Sequence, residues 1–258
     1  MLKRDPNSHK GDNGKVMVIG GSSLYHGAPI LCALGAQSSG VDLIFPFLPP
    51  RHIEAAKTYS LNFILHAFRE EELGLSDVDL ILEWSEKVDV VAIGSGLDST
   101  PKTVKALKRL FSELKRPVVI DGGALIDSPS FPAISVLTPH RGEFKRMTGE
   151  DATPETVQKW AAFYKTTIVC KGPQDIIANK ETIAINETGN AFMTVGGTGD
   201  VLAGFIAGLM AQKMTPVEAA ETATNILGVC AENLIELQAN LTAYELIKRI
   251  PQMMLQQL

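Results

Sequence analysis

Asp200 closes the run Gly196-Gly197-Thr198-Gly199-Asp200 and stands at the head of an apolar, small-residue segment that continues to Gln212. Glycines at 196, 197 and 199 permit backbone angles that a Cβ resists, and they let a ligand approach the main chain. The segment after them reads as a buried helix. A helix N-terminus offers N–H groups without intrahelical partners and the positive end of a dipole. Together these make an anion site of the kind that holds phosphate. A carboxylate beside a phosphate cradle is electrostatically awkward, so it points to a base acting on the nucleophile of a phosphoryl transfer. The competing reading is a glycine turn at a helix start, with Asp200 as an ordinary first-turn acid. The residues alone leave both open.

Other residues able to do chemistry follow short apolar runs. They are Gly20-Gly21-Ser22, Gly94-Ser95-Gly96, Asp121-Gly122-Gly123, Thr138-Pro139-His140-Arg141-Gly142-Glu143 and Lys171-Gly172. In an open parallel sheet, ligands bind beyond the carboxyl ends of the strands, where these loops would gather. Each also has a plain reading. Gly94 and Gly96 could only turn the chain, His140 could cap the next helix or sit exposed, and Lys171 could be a solvated charge. Glu143 suits the first turn of a helix. Asp121, directly after Val118-Val119-Ile120, is the strongest of this set because a sheet edge partly desolvates it. Gly20-Gly21-Ser22 is neither a P-loop nor a dinucleotide fingerprint, since the Gly-Lys-Ser/Thr and the third glycine are both missing.

The elements that must position these loops alternate. Apolar runs predict strands at 16–19, 43–47, 63–65, 88–93, 117–120, 135–137 and 167–170, and a hairpin over 175–178 and 182–185. Pro46 weakens the second of these. Helices are predicted at 30–39, 76–87, 100–114, 142–147, 154–165, 201–212, 216–237 and 242–255. Ser76 with Asp79, and Thr242 with Glu245, have capping-box spacing. Strands alternating with helices imply an α/β, doubly wound, mainly parallel sheet with helices on both faces. No repeat or linker interrupts the 258 residues, so one domain is expected.

Composition narrows the classes. Hydrophobic residues make up 45% and charged residues 21%, which supports a large core. A net charge of −5 with no basic run argues against a nucleic-acid or membrane-surface partner. Cys32, Cys170 and Cys230 are few, odd in number and far apart, which excludes a disulfide framework and fits a reducing cytoplasm. The polar N-terminus lacks a secretory h-region, and the apolar run after Asp200 is well short of the ~20 residues a membrane span needs.

Six segments, in order, carry a resemblance. They are Lys10 to Ser22, Tyr25-His-Gly-Ala-Pro29, Leu137-Thr-Pro-His-Arg-Gly-Glu-Phe144, Lys171-Gly-Pro173, Gly189-Asn190 and Val195-Gly-Gly-Thr-Gly-Asp-Val-Leu202. Together they resemble the ADP/ATP-dependent NAD(P)H-hydrate dehydratases of the ribokinase-like superfamily, over about residues 9–251. The wider superfamily shares only the Gly-Thr-Gly-Asp part. The resemblance implies a three-layer α/β/α ribokinase-like fold and a repair enzyme. Its substrate would be the S form of NADH or NADPH hydrated at C6 of the nicotinamide ring. ADP (giving AMP and phosphate) or ATP would phosphorylate that hydroxyl, and departure of phosphate would restore the dihydropyridine.

By motif position, Asp200 would be the catalytic base. Ala28, Gly94, Gly96, His140, Asn190 and Asp200 would touch the hydrated dinucleotide. Lys171, Gly172, Pro173, Gln174, Asp175, Gly197, Thr198 and Gly199 would touch the adenine nucleotide. Mg2+ would bridge phosphate oxygens, and no protein side chain is assigned to the metal. The resemblance further implies a homo-oligomer, a tetramer among the options. The span 1–258 would be one dehydratase domain without the N-terminal epimerase domain that many relatives carry.

The sequence departs from the family pattern at three places. Asp121-Gly122-Gly123 stands where Asp-Ala-Asp is more usual, so a second carboxylate is missing. Gly94-Ser95-Gly96-Leu97-Asp98 replaces Gly-Pro-Gly-Leu-Gly, and Leu227-Gly228 replaces His-Gly or Asn-Gly. Two other functions stay in view: a small-molecule kinase of the same superfamily, and a nucleotide-binding sensor of little activity.

Overall fold

Val16-Met17-Val18-Ile19 and Val90-Val91-Ala92-Ile93 are buried along their whole length, as continuous apolar runs must be when a sheet is covered on both faces. The computed structural model describes residues 4–128, 131–237 and 240–256. Its strands are β1 (Lys15–Ile19), β2 (Leu43–Leu48), β3 (His66–Ala67), β4 (Val90–Ile93), β5 (Val118–Ile120), β6 (Ser135–Leu137), β7 (Thr167–Cys170), β8 (Asp175–Ala178) and β9 (Ile183–Asn186). They form one sheet in the order β3-β2-β1-β4-β5-β6-β7-β8-β9. Pairing is parallel from β3 to β7 and antiparallel for β8 and β9.

The helices are α1 (Gly27–Ser38), α2 (Ile53–Lys57), α3 (Leu75–Ser85), α4 (Pro101–Glu113), α5 (Arg141–Thr148), α6 (Pro154–Tyr164), α7 (Thr198–Ala211), α8 (Pro216–Leu237) and α9 (Ala243–Gln256). Alternate strand residues divide between two cores. Val16, Val18, Val90 and Val119 pack with α1, α7, α8 and α9. Met17, Ile19, Val91 and Ile120 pack with α3, α4 and α6. This is the α/β/α layering and the mainly parallel sheet that the alternation predicts.

Two local expectations are corrected. The strand expected at 63–65 lies at His66–Ala67, because Phe63 makes only an isolated bridge to Ile44. The cap expected from Ser76 and Asp79 is formed two residues earlier, by Gly74 and Asp77. There Asp77 Oδ2 accepts from Gly74 N–H at 2.9 Å, and its Oδ1 accepts from Arg69 N–H at 2.7 Å. The strand expected at 43–47 forms as β2, with Pro46 inside it. Ile44 O and Leu48 O accept from Ile64 and Phe68, on the side away from β1. Pro46 shares their phase, so its missing N–H removes no bond to β1.

Helices α1 and α7 meet backbone to backbone. A Cβ at Gly204 would collide with Cys32 O, and one at Gly35 with Val201 O. In an exposed helix, Gly→Ala gains about 1 kcal/mol of helix propensity. Here the obstacle is main chain that cannot rotate away, and overpacking costs about 1–3 kcal/mol or more. Gly204→Ala is therefore expected to destabilise the protein, read as a lower urea midpoint. An unchanged or raised midpoint would show that the two helices are not in main-chain contact.

Candidate active site

The sheet order reverses at β1, which has β2 on one side and β4 on the other. The crevice past this switch point lies between the loops after β1 and β4. Those loops are tied together, since Gly21 N–H donates to Ser95 O at 2.9 Å. Gly94 has φ +123°, and a Cβ there would collide with Asp121 O, so the ends of β4 and β5 are also in main-chain contact. Ala28, in the first turn of α1, packs against Gly96: its Cβ lies 3.0 Å from the point where a Gly96 Cβ would fall. Ala28, Gly94 and Gly96 thus share one wall of the crevice.

The next strand ends supply charge. Asp121, after β5, is buried, and its Oδ1 accepts from Thr138 Oγ1 at 2.7 Å and from Lys171 Nζ at 2.8 Å. Thr138 follows β6 and Lys171 follows β7. Burial works against the Lys171 ammonium, but the Asp121 carboxylate more than offsets it and holds the lysine above its usual range. Lys171 Nζ lies 3.0 Å from where a Gly199 Cβ would be, so the ammonium rests against the first turn of α7. A cation beside a helix N-terminus opposes the dipole. Such an arrangement makes chemical sense as a site built for an anion that both positive groups will share.

The cradle itself is formed as the sequence predicts. Gly197 has φ +97° and precedes α7, whose first intrahelical bond runs from Val201 N–H to Gly197 O. The N–H groups of Thr198, Gly199 and Asp200 come before that bond and have no intrahelical partner. The Thr198 hydroxyl donates to Met193 O at 2.8 Å, so it is engaged within the protein.

Asp200 is half-buried in the first turn of α7. Burial, and then the Asp121 carboxylate, push its pKa up to about 6. A hydrogen bond from the Ser95 hydroxyl and the Lys171 charge pull the other way, and Glu143 adds repulsion. Such a carboxyl is mostly ionised at neutral pH yet basic enough to take a proton.

His140 caps α5, which is one of its two plain readings. Its Nδ1 accepts from the N–H groups of Gly142 and Glu143 at 3.0 and 3.1 Å, while Glu143 Oε2 accepts from His140 N–H at 2.8 Å. The imidazole is 62% exposed, and His140 forms an isolated parallel bridge with Lys171, so the two residues stand side by side at the strand ends. With Nδ1 accepting, Nε2 carries the proton of the neutral ring, and it lies 3.6 Å from Glu143 Oε2.

The loop Lys171-Gly172-Pro173-Gln174-Asp175 is held from several directions. Gly172 N–H donates to Asp175 Oδ1 at 3.1 Å, and Asn186 Nδ2 donates to Asp175 Oδ2 at 3.1 Å. Gln174 Nε2 donates to Glu187 Oε1 at 2.8 Å. Asn190 caps the 3-10 turn Ala191–Thr194 that leads into the cradle, accepting from Phe192 N–H at 3.0 Å. The preceding Gly189 N–H is anchored on Glu232 Oε1 at 2.8 Å. No hydrogen bond or ion pair among the described residues joins Asn190 or Asp175 to Asp200.

Three features escaped the sequence reading of the site. Ser95 reaches Asp200 from a loop noted only for its glycines. Thr138 secures Asp121, although a threonine before a proline carries no signal of that. The place of the missing second carboxylate is also filled: a Cβ at Gly123 would collide with Leu97 O, so no side chain fits there. Gly228 is explained likewise, because a Cβ would collide with Thr188 Oγ1.

No group of three His, Cys, Asp or Glu side chains among the described residues is arranged to hold a metal ion. Mg2+ characteristically keeps waters and binds one or two carboxylates plus substrate phosphates. The site fits an ion carried mainly by nucleotide phosphates, with Asp121 and Asp200 the nearest carboxylates to the cradle. No helix of the described residues is long and apolar enough to cross a membrane.

A family model described as NAD(P)H-hydrate dehydratase matches residues 16–252. The bifunctional NAD(P)H-hydrate repair enzyme Nnr of Pyrobaculum aerophilum is 38% identical over 96% of this chain, which spans 52% of that relative. The chain thus spans about half the length of such bifunctional relatives. The ADP-dependent (S)-NAD(P)H-hydrate dehydratase of Cenarchaeum symbiosum is 34% identical over 97% of this chain and 92% of its own length. Among solved structures, the ADP/ATP-dependent NAD(P)H-hydrate dehydratase of Bacillus subtilis, co-crystallised with ATP/Mg2+, superposes with a TM-score of 0.85. Its identity is 30%, and the match covers 98% of this chain and 93% of that one.

Proposed function

The chain belongs to the NAD(P)H-hydrate dehydratase family, and on that footing we propose that it restores NADH or NADPH from the S form of the C6-hydrated cofactor. ADP or ATP supplies the phosphoryl group. The observation that carries this is the meeting of Asp200, Lys171 and the N-terminal turn of α7 at one crevice. A base, a cation and unpaired N–H groups are what phosphoryl transfer to a hydroxyl requires.

Hydroxide is a poor leaving group and phosphate a good one. Asp200 takes the proton of the C6 hydroxyl as that oxygen attacks the terminal phosphorus. The N–H groups of Gly197 to Asp200 and the Lys171 ammonium stabilise charge on the transferring group. Asp121 and Asp200 are the carboxylates that would face a nucleotide-borne Mg2+, which would supply positive charge to the phosphates. Ala28, Gly94, Gly96, His140 and Asn190 line the dinucleotide half. Lys171 to Asp175, with Gly197, Thr198 and Gly199, line the nucleotide half. Residues 1–258 act in this reading as one dehydratase domain, cytoplasmic and assembled as a homo-oligomer.

The test is incubation with hydrated NADH and ADP or ATP in parallel. Return of the reduced-nicotinamide absorbance, dependent on nucleotide, is the expected result. Nucleotide consumption only when an unrelated alcohol is added would place the protein with the small-molecule kinases of the same fold. Adenine-nucleotide binding without turnover would leave it a sensor.

A further inference from the structure

Arg141 occupies the first position of α5, where a cation opposes the helix dipole. It makes no ion pair with a carboxylate among the described residues. Its guanidinium is spent on neutral main chain instead. Nη1 donates to Ala152 O at 2.8 Å and Nη2 to Gln174 O at 3.2 Å. A Cβ at Gly172 would lie 2.6 Å from Arg141 Nε, so the guanidinium rests directly against the Gly172 main chain. Gly172, Pro173 and Gln174 are all exposed, and such a turn has little packing of its own to define it.

We propose that Arg141 is a positioning residue for the adenine nucleotide: it ties the Gly172–Gln174 turn to the segment just before α6 and so sets nucleotide affinity. The inference rests on the proposed function for the identity of the ligand. Arg141 acts from one side of the turn, through the Gln174 carbonyl. Glu187 acts from the other, through the Gln174 side chain. The turn is thereby fixed before nucleotide arrives, and ordering it no longer subtracts from binding. A lysine could not replace the fork, because one ammonium on a flexible stem does not span two carbonyls in the fixed geometry of a guanidinium.

The experiment compares wild type with Arg141→Ala and Arg141→Lys in the full chain. Calorimetric titration with ADP and with AMP is expected to show affinity about tenfold weaker in both variants, as loss of charge-assisted hydrogen bonds implies. The KM for nucleotide should rise in parallel while kcat at saturating nucleotide stays within about twofold, the signature of lost uniform binding. Amide hydrogen exchange in the nucleotide-free protein should be faster at Gly172 and Gln174 in both variants. A role confined to stabilising α5 would not move exchange at that turn.

Unchanged affinity and exchange in the variants, with wild type binding normally, would overturn the inference alone. So would full recovery of affinity by Arg141→Lys, since charge rather than the fork would then suffice. A wild-type protein that binds no adenine nucleotide would sink the proposed function and this inference with it.

Discussion

Replacing Asp200 by asparagine is expected to lower turnover of the hydrated dinucleotide by about 10²–10⁴-fold, the usual contribution of a general base. Asn is nearly isosteric, so the fold and adenine-nucleotide binding should persist. The same carboxyl predicts a pH profile. With a pKa of about 6, kcat in wild type should rise through that value and level off above it. Stability should move in the opposite direction. The folded carboxyl holds its proton more tightly than the unfolded one, whose ordinary value is 3.8. Its contribution to stability is therefore full below about pH 3.8 and lost as pH rises through 6.

At pH 8 the D200N variant should accordingly be more stable than wild type, by about 1–3 kcal/mol after allowing for partial solvation. The gap should close toward pH 4. Urea unfolding at the two pH values measures it. Turnover unchanged by the substitution would remove Asp200 from the base role, whatever the stability shows.

Lys171→Met is expected to cost about 10²–10³-fold in turnover, as loss of one preorganised charge-stabilising donor typically does. It should also destabilise the protein, because Asp121 would remain buried without its counter-charge. Breaking one side of a buried pair costs about 3–5 kcal/mol. A loss of activity from unfolding must be separated from a loss of chemistry. The double variant Lys171→Met/Asp121→Asn removes both charges and keeps an acceptor for the Thr138 hydroxyl. It should recover most of the stability, read by thermal melting, yet none of the lost turnover. If activity returns with stability, the lysine serves the fold and the charge on the transferring phosphoryl is stabilised by the α7 turn alone.

Much of this site is legible in the sequence because its parts are local. The cradle Gly196 to Asp200 is continuous, and its function as a helix start follows from glycine stereochemistry and the apolar run behind it. The strand runs such as Val90–Ile93 are short, β-branched and punctuated by glycine, which fixes their ends to within two residues. His140 as a cap is local as well. What was misplaced was also local but weak: β3 is two residues long, and the cap of α3 depends on Asp77 bonding both Gly74 and Arg69. The role of Ser95 is not legible in the sequence, because a serine between two glycines gives no sign of which carboxylate it will reach.

By itself, the sequence determined the order of strands and helices, the acid at the head of the glycine cradle and the family. The tertiary structure decided what that acid is. Asp121 and Lys171 are fifty residues apart. They meet with Thr138 because β5, β6 and β7 lie side by side and present their carboxyl ends together. A carboxyl at about 6 and a lysine held charged against a helix N-terminus are properties of that convergence. Desolvation and neighbouring charge act through space, and only the ordering of the sheet sets those distances.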